Sequence, residues 1–280
     1  MRAVLRCPVR ACPETLAAAP DGRSFACARR HSFDRNRFGA LNLLQPQDRR
    51  SRKPGDSVEA ARARKRLAAA GANEALLLGL IDVIVKQLGP EIPTLLDVGC
   101  GEGALLRALS AISRGERYGL DLSSAAIDLA ARAAPTDFFV VANADRFLPF
   151  VDASFDALMS VDARLNAAEF HRVLKPRGLL VVAVPAADDL IELRARVLGE
   201  GRSLPRGPRV ESDLEPHFHL IERLCVSDRR VFQVEVLRDF LTATYRGFRA
   251  REREQVAALT EMQATLSHDI LLFAPRAAGR

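Results

Sequence analysis

The stretch Thr94-Leu95-Leu96-Asp97-Val98-Gly99-Cys100-Gly101-Glu102-Gly103 leaves this chain few folds to choose from. An apolar run of buried-strand character reaches Asp97, three glycines follow at alternate positions, and helical apolar spacing resumes from Ala104 to Ile112. Strand, tight turn and helix start, in that order, open a parallel α/β sheet. Glycines at the turn let the backbone come close to a ligand, because no Cβ stands in the way.

The glycines alone do not name that ligand, since Gly99-x-Gly101-x-x-Ala104 would also satisfy a dinucleotide fingerprint. The acids narrow the choice. Asp97, two residues before the first glycine, would crowd a pyrophosphate but helps orient a cation. Asp121 closes the next apolar strand, Tyr118-Gly119-Leu120-Asp121, where a carboxylate can accept hydrogen bonds from a ribose diol. S-adenosylmethionine meets both demands: it is an adenosine bearing a sulfonium and an ammonium, with no phosphate. Asp97, Gly99, Gly101, Glu102, Gly103 and Asp121 are the resulting candidates for cofactor binding.

Downstream, strands are expected at 137–142, 157–161 and 179–184, with a helix at 166–174 and a turn at Lys175-Pro176-Arg177-Gly178. Such alternation predicts an α/β fold with a doubly wound, mostly parallel sheet of Rossmann type. Phe218–Val226 and His268–Phe273 are expected as an antiparallel edge pair, with an amphipathic helix at 231–242 between them. Cys225 is expected to be buried packing.

Ahead of the sheet, Cys7, Cys12, Cys27 and His31 form C-x4-C-x14-C-x3-H, a ligand set and spacing suited to a closed tetrahedral zinc site. Without metal, so short a module with few large apolar groups could hardly fold alone. Charge sets the same region apart. Residues 1–66 hold 16 Lys and Arg against 6 Asp and Glu, a balance of +10, whereas the whole chain is +6 and the remainder therefore −4. A basic head on a mildly acidic body fits a polyanionic partner, most simply nucleic acid. Arg49 to Ser57 reads as a basic loop, and Asp56 with Glu59 as a capping box opening a helix at 58–70 that carries Arg62, Arg64, Lys65 and Arg66. A second helix is expected at 73–88. The implied division is a zinc ribbon at 1–45, basic loop and linker helices at 46–90, and the cofactor domain at 91–280, a size that 280 residues comfortably allow.

Ribbon, basic loop and Asp97-Val-Gly-Cys-Gly-Glu-Gly103, in this order, resemble the bacterial 23S rRNA (guanine-N1)-methyltransferases of the RlmA type. The resemblance implies methyl transfer from S-adenosylmethionine to N1 of a guanine in a 23S rRNA hairpin, zinc in an RNA-recognising N-terminal module, and a homodimer. It also implies that Leu122 and Asn143-Ala144 border the adenosine. Asp162, after the fourth strand, occupies the acceptor side and is the candidate general base, because guanine N1 must lose a proton. Relatives usually carry an Ala-Pro pair where this chain has Asp162-Ala163, and Met-Thr-Pro-Phe where it has Leu241-Thr242-Ala243-Thr244. Two other readings stay open: a small-molecule methyltransferase with a retained ribbon, and a non-catalytic ribbon-based RNA-binding protein. No apolar run reaches the about 18 residues of a membrane span, and no export segment is apparent, so a cytoplasmic location is the expectation.

Overall fold

The computed structural model describes residues 4–48, 55–89, 91–92, 94–112, 114–199, 205–244, 254–256 and 258–277. Most of the basic loop, 49–54, lies outside these. In chain order the elements are β1 (Leu5–Arg6), β2 (Thr15–Ala18), β3 (Ser24–Ala26), β4 (Ser32–Asp34), β5 (Leu41–Asn42), α1 (Val58–Ala69), α2 (Glu74–Leu88), β6 (Thr94–Val98), α3 (Ala104–Ser110), β7 (Glu116–Asp121), α4 (Ser124–Ala133), β8 (Phe138–Val141), β9 (Phe155–Val161), α5 (Ala167–Val173), β10 (Leu174–Pro185), α6 (Ile191–Leu198), α7 (Gly207–Leu214), β11 (Phe218–Gln233), α8 (Val234–Thr244) and β12 (Glu261–Pro275).

β1 to β4 form a small antiparallel meander, and the other eight strands form one sheet in the order β11-β12-β10-β9-β6-β7-β8-β5. Pairing is parallel from β10 to β5 and antiparallel for β12 and β11. This is the doubly wound α/β sheet the sequence predicts. The ribbon boundary differs. Leu41–Asn42 already pair with Val140–Val141, so the large sheet claims the chain before residue 45.

Strand periodicity divides the core. Leu96, Val98, Leu158, Leu180 and Val182 face one cluster, shared with Phe170 and Val173 of α5, Leu214 of α7 and the ribbon. Their neighbours Leu95, Ala157, Met159, Leu179 and Val181 face the other, against Leu80 and Ile84 of α2, Leu106 of α3 and Ile127 of α4. Side chains alternate across a strand, so one apolar run serves both faces, as parallel strands require. A third cluster joins Leu67 of α1, Leu193 of α6, and Leu237 and Phe240 of α8 to Phe232 and Ala264, where the β11–β12 hairpin runs past the sheet.

Several local expectations need correction. The N-cap of α1 is Ser57, whose hydroxyl accepts the Ala60 N–H; no Asp56–Glu59 box forms, because Asp56 pairs with Arg64 and Glu59 with Arg66. Residues 175–178 are not a free turn but a register irregularity within β10, where Lys175 reaches Asp156 at 2.9 Å. Val231–Gln233 extend β11 rather than starting a helix, since pairing with Gln263, Met262 and Glu261 competes successfully with their helical spacing. Cys225 is exposed, its Sγ 3.5 Å from Ser267 Oγ, because β11 is an edge strand.

Candidate active site and metal centre

The turn after β6 is built by backbone geometry. Gly99, Gly101 and Gly103 have φ of +81°, +55° and +80°, a region side-chain-bearing residues avoid. At Gly99 an added Cβ would lie 2.4 Å from the Ala163 Cβ, so the turn fits against the segment that follows β9 only as glycine. The Gly99 and Cys100 N–H groups donate to Leu120 O, and the Gly101 N–H donates to Asp121 Oδ2 at 3.0 Å. Asp121 Oδ1 accepts the Ser123 N–H at 2.7 Å. Asp121 therefore locks the glycine turn to the end of β7.

A cavity of about 1090 Å³ opens over this turn at the carboxyl ends of the strands. Of the sequence candidates, Asp97, Gly99, Gly101, Glu102, Asp121, Leu122, Asn143, Ala144 and Asp162 line it. Gly103 does not. It caps α3, where a Cβ would come within 3.0 Å of Ala130, and so serves helix packing.

Three acids converge here. Burial, with Asp121 and Glu102 nearby, pushes Asp97 up to about 8, and burial also raises Glu102 and Asp121. Asp97 Oδ1 is buried with no hydrogen-bond partner among the described residues. A buried carboxylate oxygen without a donor is costly unless something polar arrives to meet it. The cavity thus suits a ligand carrying a cation and repels a pyrophosphate, so the donor set fits S-adenosylmethionine and not a dinucleotide.

Arg64 is the functional candidate that sequence reasoning left inside a basic helix. From α1 it reaches over the cavity, pairs with Asp56 and donates to Ala243 O at 3.2 Å. Only fold-level placement reveals it, since nothing in the spacing of Arg62, Arg64, Lys65 and Arg66 separates one from another. Ser123 Oγ donates to Asp56 O at 2.9 Å, so the start of the α1 segment rests on the β7–α4 loop and walls the cavity.

In the ribbon, Cys7, Cys12, Cys27 and His31 present one ligand atom each, all within 4.8 Å of one another. Nδ1 of His31 lies 3.4 Å from Cys7 Sγ and 3.3 Å from Cys27 Sγ, and Cys12 Sγ lies 4.0 Å from Cys27 Sγ. Zinc–sulfur bonds of about 2.3 Å in a tetrahedron place sulfurs at about this spacing, so the four fit that ion. The ribbon is docked, not tethered. The Arg6 N–H donates to Pro149 O at 3.1 Å, Val151 N–H donates to Val4 O, and Phe25 meets Phe138 edge-on. Its contact segment, Pro149 to Val151, is joined to Asn143-Ala144-Asp145 of the cavity wall through Arg146-Phe147-Leu148.

Residues 96–182 match a family described as a methyltransferase domain. A putative 23S rRNA (guanine-N(1)-)-methyltransferase from Bacillus subtilis is 37% identical over 68% of this chain and 67% of its own length. One of the same description from Micromonospora griseorubida is 36% identical over 76% of each chain. The 23S rRNA (guanine(748)-N(1))-methyltransferase of Streptomyces fradiae is 32% identical over 79% of this chain and 78% of its own. Among solved structures, a putative methyltransferase from Bacillus halodurans superposes with a TM-score of 0.51 at 18% identity, over 72% of this chain and 99% of that one. That likeness bears on the fold alone.

Proposed function

The chain belongs to the 23S rRNA (guanine-N1)-methyltransferases, enzymes that use S-adenosylmethionine, and from that premise we propose how its residues divide the work of methylating N1 of a guanine in 23S rRNA. The observation that carries the reading is the buried Asp97 Oδ1, without a hydrogen-bond partner among the described residues, beside Gly99 and Gly101 in an acid-lined cavity. When bound, S-adenosylmethionine supplies an electrophilic methyl group on a sulfonium.

Asp97 and Glu102 would hold the cationic part of the cofactor, with the Gly99–Gly101 backbone, free of Cβ atoms at both glycines, allowing its close approach. The carboxylate oxygens of Asp121 each keep a lone pair for a ribose hydroxyl after accepting the Gly101 and Ser123 N–H groups. Leu122, Asn143 and Ala144 would border the adenine. Asp162 stands on the acceptor side, where it takes the proton that guanine N1 must lose. Methyl transfer needs no covalent enzyme intermediate; holding the base in line with the methyl group and excluding water supply the rate.

Cys7, Cys12, Cys27 and His31 hold a zinc ion that fixes the ribbon, with exposed Arg10, Arg23, Arg29 and Arg30 on its surface to meet RNA phosphates. Paired A-form RNA hides the N1 edge, so the target guanine lies in a hairpin loop or is swung out. Incubation of the purified protein with methyl-labelled S-adenosylmethionine and 23S rRNA lacking its own guanine-N1 methylation should label one guanine, mapped as N1-methylguanosine. Label entering only small metabolites would overturn the proposal.

A further inference from the structure

On the acceptor side of the cavity, a group that sequence reasoning placed only at the edge of a strand stands against the candidate base. His268 Nε2 lies 3.1 Å from Asp162 Oδ2, and both residues line the cavity beside Gly99. Sheet register makes this contact. Val161 pairs with Ala183 of β10 and Pro185 pairs with His268 of β12, so one strand separates the end of β9 from His268.

Asp162 is held in an uncommon shape. Its φ is +52°, its N–H donates to Ala183 O at 3.0 Å, and the next residue, Ala163, abuts the Gly99 turn. Strained non-glycine residues persist where the surroundings over-determine them, and they gather at active sites. Here the strained residue lines the cavity directly before the one that packs on the Gly99 turn. Exposure is graded across the pair: the Asp162 side chain is 48% exposed and that of His268 only 16%, so the carboxylate is the more accessible and the imidazole stands behind it.

We propose that Asp162 and His268 work as one proton-accepting pair, in which His268 is a positioning residue that acts through Asp162 and finally receives, at Nε2, the proton of guanine N1. The inference rests on the rRNA (guanine-N1) reading and deepens it. As the N1–C bond forms, the S–C bond breaks with its electron pair left on sulfur. The N1–H bond, made acidic by the new bond, breaks to an Asp162 oxygen, and the proton moves on to the bare Nε2 of a neutral His268 whose ring hydrogen sits on Nδ1. Asp162 is left as carboxylate and His268 as imidazolium, which returns its proton to solvent.

The surroundings suit that end state. Burial opposes a charged His268, but Asp162 and buried Asp189 together hold its pKa above the ordinary value, against Arg206. Asp189 is fixed by the Ser267 N–H at 3.0 Å and feels the charge of Arg194, whose guanidinium donates to the Asp189 backbone carbonyl. The β11 partner of His268 is the uncharged Val226, and its β10 partner is Pro185. Because the pair must begin with neutral imidazole, turnover rises with pH through the raised His268 pKa and then levels.

The test combines single-turnover methylation of unmodified 23S rRNA across pH, at S-adenosylmethionine concentrations that saturate the enzyme at every pH, with an NMR titration of imidazole signals in the RNA-free protein. In His268→Gln the amide can still hold Asp162 but cannot take a proton. The expected result is a plateau rate about 10-fold or more lower, loss of the rising limb, and S-adenosylhomocysteine affinity within about 2-fold of wild type. In the titration, the His268 signal should shift at a pH above that of an ordinary histidine, and drop back in Asp162→Asn. A His268→Gln enzyme with the wild-type pH profile, or a His268 titration indifferent to Asp162→Asn, overturns the pair. Absence of rRNA methylation by the wild-type protein would instead overturn the reading beneath it, while the NMR result would still decide whether the two residues are coupled.

Discussion

Asp97 carries a carboxylate where the fold gives it little help. Its pKa near 8 arises from burial first and from Asp121 and Glu102 second. The folded, ligand-free protein therefore holds a proton there that the unfolded chain releases at an ordinary carboxyl pKa. By linkage, the Asp97 contribution to stability is greatest at low pH and is lost as pH rises from about 4 to about 8. A cationic ligand reverses the preference and expels the proton, so affinity for S-adenosylmethionine should climb with pH up to about 8 and then flatten. Asp97→Asn should raise the thermal midpoint of the ligand-free protein at pH 8, weaken S-adenosylmethionine binding by about 10-fold or more, roughly 1.4 kcal/mol, and remove that pH dependence. Calorimetric titration at pH 6, 7 and 8 checks all but the midpoint, which a thermal scan supplies.

At the scale of elements, α1 divides its cations between two jobs. Arg66 bridges Glu59 at 2.9 Å and Asp239 of α8 at 2.7 Å, and Arg64 turns inward over the cavity, while Arg62 and Lys65 stay exposed. Arg66 is itself half exposed, so its ion pairs contribute at most about 1 kcal/mol. The Ser57 cap matters comparably: Ser57→Ala should lower stability by about 1 kcal/mol, read as a shift in denaturant midpoint with unchanged slope. The glycine turn, the strands flanking it and the Cys/His quartet were readable because their signals are local: alternation, spacing and backbone demand. What escaped was set at long range. Glu59 prefers Arg66 to the capping role its spacing offered, Val231 to Gln233 follow a partner strand thirty residues further on, and His268 becomes Asp162's neighbour only through β10. None of these contacts leaves a mark in the residues next to it.

At the scale of the molecule, the ribbon is part of the main core. Cys7, Cys12 and Cys27 share a cluster with Tyr118, Phe150 and Phe155, and β5 continues from the ribbon into the large sheet. If the quartet holds zinc, Cys27→Ser should abolish about one zinc per chain by metal analysis and lower the unfolding temperature of the whole protein as one transition. Two separate calorimetric transitions would contradict so intimate a docking. No single described helix is long and apolar enough to cross a membrane. β12 has a consequence of another kind. It enters the sheet between β10 and β11, yet it follows both in the chain, so a polypeptide interrupted before residue 261 has a gap where a middle strand belongs. A ribosome-bound intermediate at that length would offer the bare edge of β10 to chaperones or to its own kind, and, on the proposed pairing with Asp162, catalysis would have to wait for synthesis of His268. Maturation and competence are thereby fastened to the same late arrival.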